Sequence, residues 1–326
     1  MMSSTRRSFL ATSLAASAGA VLARAGLAAE AEQAPIPATS SEAGGPWPIA
    51  IFEKILEGLS YEELADVVAE IGADGIEATI RPKGHIEPEA AADEVPKMVE
   101  ALGKRGKRII IAATGIGSVD EPHTEALLRL FKAMGIGHYR LAHYRYDNTR
   151  PLKSQVADFA AKVRDVAAMN KELSLQGLYQ NHAGANYLGS LAWDAATALD
   201  GIDPASIGIA CDLRHLRADT GSSWQTALRL FKPHIRSIYL KDGVWAGSRS
   251  DELKNVALDT GFVNVDVFRA VREGLEPMPL CIHVEYLGYR VFEKHEIPAA
   301  VEAHKHDLQV LREWMKPGKP RKAKKK

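Results

Sequence analysis

Four apolar runs in the second half of the chain each end in groups that can move protons or bind cations. The groups are Gln180-Asn181-His182, Asp212-Leu213-Arg214-His215, Lys241-Asp242 and His283-Val284-Glu285. Buried charges are costly unless they are paired or bind a metal. Carboxylates and imidazoles can hold a divalent cation and can move protons beside a carbonyl, and an amine can stabilise a developing enolate. We therefore expect one site for proton transfer on a carbonyl compound.

Further polar residues follow apolar runs in the first half of the chain. Alternation along residues 75–81 places Glu77, Thr79 and Arg81 on one face, and His85 follows shortly after. Another run ends in His143 to Asp147, which includes Arg145. Trp193, Trp224 and Trp245 lie just beyond later runs, where an aromatic ring could stack on a sugar or pack between helices and sheet.

The runs that carry these residues alternate with longer amphipathic stretches. Eight strands are predicted, over residues 48–52, 75–80, 108–113, 139–143, 174–179, 207–211, 235–240 and 280–285. Eight helices are predicted between and after them, over residues 61–71, 89–105, 122–134, 152–170, 191–199, 223–231, 265–273 and 297–315. Ser60 and Glu63 form a capping-box pattern, and glycine follows four of the helices, at positions 72, 106, 135 and 274.

Eight such units within about 270 residues are what a (β/α)8 barrel requires. A doubly wound sheet is the alternative, but no glycine-rich fingerprint follows the first strand. We predict a single TIM barrel over residues 47–315. Active sites of such barrels lie at the C-terminal ends of the strands, where the polar groups fall. Cys211 and Cys281 are expected to be packing residues, and His304 and His306 to lie at the surface.

The two ends of the chain differ from the part between them. Arg6-Arg7 before Ser8-Phe9-Leu10, a short apolar run and small-x-small patterns near residues 23–31 are typical of a twin-arginine signal peptide. We expect this signal over residues 1–29, a linker over 30–46 and a disordered basic tail over 316–326. The protein is then predicted to be exported by the twin-arginine machinery to the periplasm or another extracytoplasmic space, without a membrane span after cleavage.

Charge argues against a nucleic-acid partner. The chain has 41 basic and 41 acidic residues. Three of the arginines lie in the predicted signal and seven basic residues in the tail, so the part between carries about ten net negative charges. An acidic body is a poor surface for nucleic acid.

The motifs Arg81-Pro82-Lys83-Gly84-His85, Gln180-Asn181-His182, Asp212-Leu213-Arg214-His215, Leu240-Lys241-Asp242 and Glu285-Tyr286 resemble those of the xylose isomerase-like TIM-barrel superfamily, the sugar phosphate isomerases and epimerases. The likeness is greatest to exported members with a twin-arginine signal. It covers about residues 48–314. The resemblance implies a sugar isomerase or epimerase with one divalent metal (Mn, Mg, Co or Zn).

The resemblance also implies roles for individual residues. In the family, the metal is held by a Glu, an Asp, a His and a Glu after strands 5 to 8. Asp212 and Glu285 match, whereas Gln180 and Tyr239 stand at the other two positions, so affinity for a transition metal is expected to fall. His182, Glu77 or His85 could complete a rearranged site. The predicted metal ligands are Asp212, Glu285, Gln180 and His182.

Catalytic roles are predicted for Glu285 as base, for Lys241 at an enediolate-like oxygen with Asp242 as its partner, and for His215 and His182 as proton relays. The predicted substrate-binding residues are Arg81, His85, Arg145, Asn181, Arg214 and Trp245. Three other functions stay open: a metal-independent keto-sugar lyase, a non-catalytic carbohydrate-binding barrel and, against the acidic charge and the missing ligands, an apurinic-type endonuclease.

Overall fold

The computed structural model describes residues 46–248 and 252–317. The predicted signal over 1–29, the linker up to residue 45 and the tail from residue 318 lie outside the described residues. Eight parallel strands close into a barrel. They are β1 (Ile49–Phe52), β2 (Gly75–Ile80), β3 (Arg108–Thr114), β4 (His138–Arg140), β5 (Gln176–Gln180), β6 (Ile207–Asp212), β7 (Ile235–Leu240) and β10 (Leu280–Ile282). Each pairs with the next, and β10 pairs with β1, so the predicted (β/α)8 TIM barrel is confirmed.

Helices follow the strands and form the outer layer. They are α1 (Tyr61–Ile71), α2 (Ala91–Gly103), α3 (Thr124–Ala133), α4 (Leu152–Leu173), α5 (Trp193–Ala198), α6 (Leu213–Thr220), α7 (Trp224–Phe231), α8 (Val265–Arg272) and α9 (Ile297–Met315). The capping box of Ser60 and Glu63 starts α1, and Gly72 ends it with a φ of 83° that favours glycine. Across 46–248 and 252–317, no helix combines the length and apolarity that crossing a membrane requires.

The sequence patterns missed two elements on the C-terminal side of the barrel. One is α6, which begins directly after β6 with Asp212 as its N-cap. Its sequence mixes charged and apolar residues, so no helical stripe was visible. The other is an antiparallel hairpin after β7, formed by β8 (Asp242–Ala246) and β9 (Glu252–Val256). Strands β4 and β10 also end earlier than predicted, at Arg140 and Ile282, before the polar residues that begin at His143 and His283.

The core has two layers. Phe52, Leu178, Tyr239 and Cys281 belong to a buried group inside the barrel, which is separate from the larger layer between strands and helices. His304 belongs to that outer region, because it is fully buried on the inward side of α9. The prediction of a surface position for His304 was therefore wrong, whereas His306 is exposed as predicted.

Two irregularities of the barrel occur next to its polar end. The register of β2 against β3 shifts between Ile76 and Glu77, and that of β6 against β7 shifts between Ile209 and Ala210. Such bulges re-aim the side chains that follow them. Glu77 and Asp212, which lie just beyond the two shifts, are both fully buried in the polar centre described next.

Candidate active site

Polar side chains from five strands and the segments that follow them meet at the C-terminal end of the barrel. They form two neighbouring groups. The lysine cluster consists of Lys241, Asp212, His215 and Glu285. The Glu77 cluster consists of Glu77, Arg140, Tyr239, Cys281 and His283.

The lysine cluster is built around one buried ammonium group. Lys241 Nζ lies 2.9 Å from Asp212 Oδ2, 3.0 Å from His215 Nε2 and 3.3 Å from both carboxylate oxygens of Glu285. The side chain of Lys241 is 3% exposed and that of Asp212 is fully buried, whereas that of Glu285 is 13% exposed. Glu285 is therefore the member of this cluster that a bound molecule reaches most easily.

The charges of the lysine cluster stabilise one another. Burial by itself lowers the pKa of Lys241, but the carboxylates of Asp212 and Glu285 outweigh burial, and the pKa lies above its usual value. Burial raises the pKa of Asp212 and of Glu285, and Lys241 together with His283 more than reverses this, so both carboxyl groups have lowered pKa values. Burial and the nearby ammonium hold the pKa of His215 well below its usual value. The cluster at neutral pH is an ammonium, two carboxylates and a neutral imidazole.

Backbone and amide hydrogen bonds fix Asp212 in this position. The backbone N–H of His215 donates to Asp212 Oδ1 at 3.1 Å, which caps α6. Gln180 Nε2 donates to Asp212 Oδ2 at 2.8 Å. Asn181 accepts from the backbone N–H of Asp212 at 2.7 Å and donates to its carbonyl at 3.2 Å. Gln180 and Asn181 thus hold Asp212 from the neighbouring strand.

The Glu77 cluster surrounds a fully buried carboxylate. Glu77 Oε1 accepts from Arg140 Nε at 2.6 Å and from Tyr239 OH at 2.7 Å. On the other side, Glu77 Oε2 accepts from Cys281 Sγ at 3.3 Å and lies 3.0 Å from His283 Nε2. This last pair is close but is not aligned for a hydrogen bond, since His283 Nε2 has no hydrogen-bond partner. The ring of Phe52 stacks on His283 with centroids 4.5 Å apart.

Two contacts join the clusters. Arg140 Nη1 donates to Gln180 Oε1 at 2.7 Å, and Gln180 then donates to Asp212. His283 Nδ1 lies 3.3 Å from Glu285 Oε1. The two clusters are therefore one hydrogen-bonded network that spans the barrel end.

Three histidine rings line the side formed by β4 to β6. The ring of His182 lies 4.2 Å from that of His215 and 4.8 Å from that of His143, between centroids. His182 Nδ1 lies 2.8 Å from the carbonyl of Ala183 and is assigned as the donor, which leaves Nε2 as an acceptor. Burial and Lys241 lower the pKa of His182, and burial and Arg140 lower that of His143 further. These rings are neutral hydrogen-bonding groups at neutral pH.

The remaining predicted substrate-binding residues are spread around the barrel mouth. Arg81 lies 5.9 Å from the Phe52 ring, and Arg214 Nη1 lies 3.3 Å from His215 Nδ1. His85 Nδ1 lies 3.2 Å from Oε2 of the buried Glu53 and is not among the partners of Lys241. Arg145 stacks on Tyr187 at 4.4 Å and is exposed. Trp245, on the β8–β9 hairpin, is 46% exposed. Their roles stay predictions.

Asp242 differs from its predicted place beside Lys241. Its carboxylate accepts three backbone N–H groups, from Gly243 at 2.7 Å, Val263 at 2.8 Å and Gly261 at 2.7 Å. The acid therefore fastens the loop after β9 to the base of the hairpin. The partners of Lys241 are instead the two carboxylates and His215.

The four predicted metal ligands do not fit a divalent ion in this arrangement. Lys241 Nζ occupies the space between Asp212 and Glu285, and Gln180 already bonds Arg140 and Asp212. A cation bound there would meet the ammonium at close range. Within the described part of the chain, one other trio brings potential ligand atoms within 4.8 Å of one another: Glu77, Cys281 and His283.

Several members of the network were not predicted as site residues. Arg140 and Cys281 lie within short apolar strands, where a single polar residue resembles a packing residue, and His283 was named at the end of the last strand but was given no role. A charged residue inside an apolar run was the one available signal for Arg140, because a buried guanidinium requires a partner.

The comparisons with known proteins agree with the barrel. Residues 65–314 match the model of the Xylose isomerase-like TIM barrel family, and the chain belongs to this family. No curated protein matches the chain.

Solved structures share the fold at low identity. The IOLI protein with a bound zinc atom has a TM-score of 0.65 at 13% identity, over 83% of this chain and 100% of that one. D-psicose 3-epimerase with D-tagatose from Clostridium cellulolyticum H10 gives 0.57 at 12% identity, over 81% and 99%. The 3-keto-D-glucoside 4-epimerase of E. coli gives 0.58 at 13% identity, over 82% and 99%.

Proposed function

We propose that this protein is an enzyme that removes a proton from the carbon beside the carbonyl of a sugar or keto-sugar, giving isomerisation or epimerisation. The observation that carries the proposal is the buried Lys241 ammonium, held by Asp212 and His215 next to the more accessible Glu285. Family membership supports it, and two of the structural neighbours bear the names of sugar epimerases.

Each group has a part in this reaction. Removal of the proton places negative charge on the carbonyl oxygen, and Lys241 is the donor that stabilises it. A preorganised donor in a buried site is worth more than in water, because no solvent has to reorganise. Asp212 keeps the ammonium charged and in place.

Two groups are suited to move the proton itself. Glu285 is ionised, and the neutral ring of His182 has Nε2 free as an acceptor. His215 and Asn181 position the network, through Lys241 and through the backbone of Asp212 respectively. Arg81, Arg145, Arg214, His85 and Trp245 are proposed to bind the substrate around the mouth.

The test measures proton exchange directly. The full-length protein is incubated in D₂O with D-tagatose, D-psicose and a 3-keto-D-glucoside, and NMR follows deuterium entering the carbon beside the carbonyl. Glu285→Gln and Lys241→Met should each lower the exchange rate about 100-fold or more. The control is Lys305→Met, which removes a partly exposed lysine of the outer helix α9 that pairs with Glu70 of α1.

The outcomes separate the competing functions. Exchange with a new sugar isomer supports the proposal. Loss of water from the substrate identifies the keto-sugar lyase, and binding by calorimetry without any exchange identifies the carbohydrate-binding barrel, so either result overturns it. Exchange that is equal in Glu285→Gln, Lys241→Met and the control overturns the assigned roles.

We also propose that the protein works outside the cytoplasm. The support is the Arg6-Arg7 pattern followed by Ser8-Phe9-Leu10 in the first residues of the chain. The twin-arginine route exports folded proteins, which suits a closed barrel with buried charges.

A further inference from the structure

We propose that Glu77, Cys281 and His283 form a binding site for a thiophilic divalent metal, with zinc as the expected ion. This site shares no residue with the four ligand positions implied by the family. It does not depend on the sugar reaction proposed above.

The first observation is an unexplained contact between His283 and Glu77. Nε2 of His283 lies 3.0 Å from Glu77 Oε2, is buried and has no hydrogen-bond partner. The side chain of His283 is 1% exposed and that of Glu77 is fully buried. Because His283 Nε2 does not donate a hydrogen bond to Glu77 Oε2, two atoms with lone pairs lie next to each other. A cation between them makes that contact favourable.

The second observation is the third donor at the same place. Cys281 Sγ lies 3.3 Å from the same Glu77 oxygen, and the thiol is completely buried. Sulfur, imidazole nitrogen and carboxylate oxygen together are a donor set that suits zinc. Ordinary zinc bond lengths at tetrahedral angles put such donors about 3.3 to 3.6 Å apart, so His283 Nε2 and Cys281 Sγ need to move away from Glu77 Oε2 by only a few tenths of an ångström.

Neighbouring side chains hold two of the three donors in a fixed orientation, as the residues around a metal site do. His283 Nδ1 faces Glu285 Oε1 at 3.3 Å, and a metal-binding histidine commonly donates its second N–H to a carboxylate. Glu77 Oε1, the oxygen turned away from the trio, accepts from Arg140 and Tyr239. Phe52 stacks on the imidazole and fixes its plane. These contacts leave His283 Nε2 and Glu77 Oε2 facing the trio, with the Cys281 S–H as the one donor between them.

Binding changes the protonation of one group. The S–H proton of Cys281 now points to Glu77, and the metal–sulfur bond forms as that proton leaves to solvent. The bound ion then has one thiolate, one carboxylate and one neutral imidazole, with a fourth position open. No electron transfer is involved.

The test uses the full-length protein, purified without chelators, and adds Zn²⁺ or Co²⁺ alone. We expect one equivalent of metal by elemental analysis. The Co²⁺ form should show a thiolate-to-cobalt absorption band. Cys281→Ser should abolish this band and weaken Zn²⁺ binding at least 10-fold. Cys211→Ser is the matched control, because Cys211 is the other buried cysteine and is outside the trio.

Glu77→Gln provides a second variant that keeps the shape of the side chain and the thiol. It should retain the band at high Co²⁺ but bind Zn²⁺ at least 10-fold more weakly. Absence of bound metal and of the band in the wild-type protein would overturn the proposal. So would a band that survives in Cys281→Ser or disappears in Cys211→Ser. These readouts involve no sugar, so they stand or fall separately from the proposed activity.

Discussion

Replacing Lys241 by methionine removes the charge at the centre of the lysine cluster and keeps an unbranched side chain of similar length. Asp212 and Glu285 then face each other without their shared cation, in a place where the Asp212 side chain is fully buried and that of Glu285 is 13% exposed. Removing one partner of a buried ion pair typically costs about 3–5 kcal/mol. Asp212 keeps its hydrogen bonds from Gln180 and His215, so we expect the lower part of this range.

The measurement is the free energy of unfolding of the full-length protein from urea denaturation, followed by circular dichroism. About 3 kcal/mol corresponds to a fall in melting temperature of roughly 5 °C for a barrel of this size. Lys305→Met is the control, since its ion pair with Glu70 is exposed and such pairs contribute about 1 kcal/mol or less.

A double variant isolates the electrostatic cause. Glu285→Gln removes one of the two carboxylates, so Lys241→Met combined with Glu285→Gln should be more stable than Lys241→Met alone. The coupling between the two changes should be about 1–2 kcal/mol. If Lys241→Met costs no more than Lys305→Met, or if the double variant shows no coupling, the ammonium does not neutralise these carboxylates and the reasoning fails.

Two further predictions concern other parts of the chain. Burial lowers the pKa of His304 from 6.5 to about 4. Between these two pH values the histidine is therefore protonated in the unfolded chain but neutral in the folded one. Stability is therefore complete above pH 6.5 and falls by up to about 3 kcal/mol as the pH drops to 4. We expect the free energy of unfolding, measured with urea between pH 6.5 and 4, to change less with pH in His304→Leu than in the exposed-site control His295→Leu. An equal pH dependence in the two variants would contradict the assignment. Lysines in place of Arg6 and Arg7 should retain the protein in the cytoplasm on cell fractionation, and unchanged export would refute the signal assignment.

The barrel could be predicted from the sequence because its signals are local. Two strands, β2 and β7, and two helices, α1 and α9, have the predicted bounds, and the glycine at position 72 ends its helix in the expected left-handed conformation. Apolar runs, caps and helix-ending glycines each depend on residues a few positions apart. The β8–β9 hairpin and α6 were not predicted, because their sequences are short and mix polar and apolar residues without such a periodic pattern.

The site could be predicted only in its location. The polar strand ends indicated where Asp212, Lys241 and Glu285 meet, since the barrel brings every strand end to one face. The sequence does not indicate which of these polar side chains bond one another. Glu77 bonds residues 63, 162 and 204 positions further along the chain, and no local pattern encodes such pairs. This is why Asp242 was predicted as the partner of Lys241, and why Glu77 was named without its partners Arg140 and Cys281.

The charged groups of the two clusters belong to one network, but each cation serves different carboxylates. Three carboxylates, the fully buried Glu77 and Asp212 and the partly exposed Glu285, share two buried cations, Lys241 and Arg140. Lys241 neutralises the Asp212 side, and Arg140 binds only one oxygen of Glu77. The oxygen without a cation is the one that faces Cys281 and His283. Because the proposed metal serves that oxygen and Lys241 serves different carboxylates, Lys241→Met should keep the thiolate-to-cobalt band even though it loses stability and sugar exchange. Loss of the band in this variant would show that the two clusters depend on one another and would contradict this division of charge.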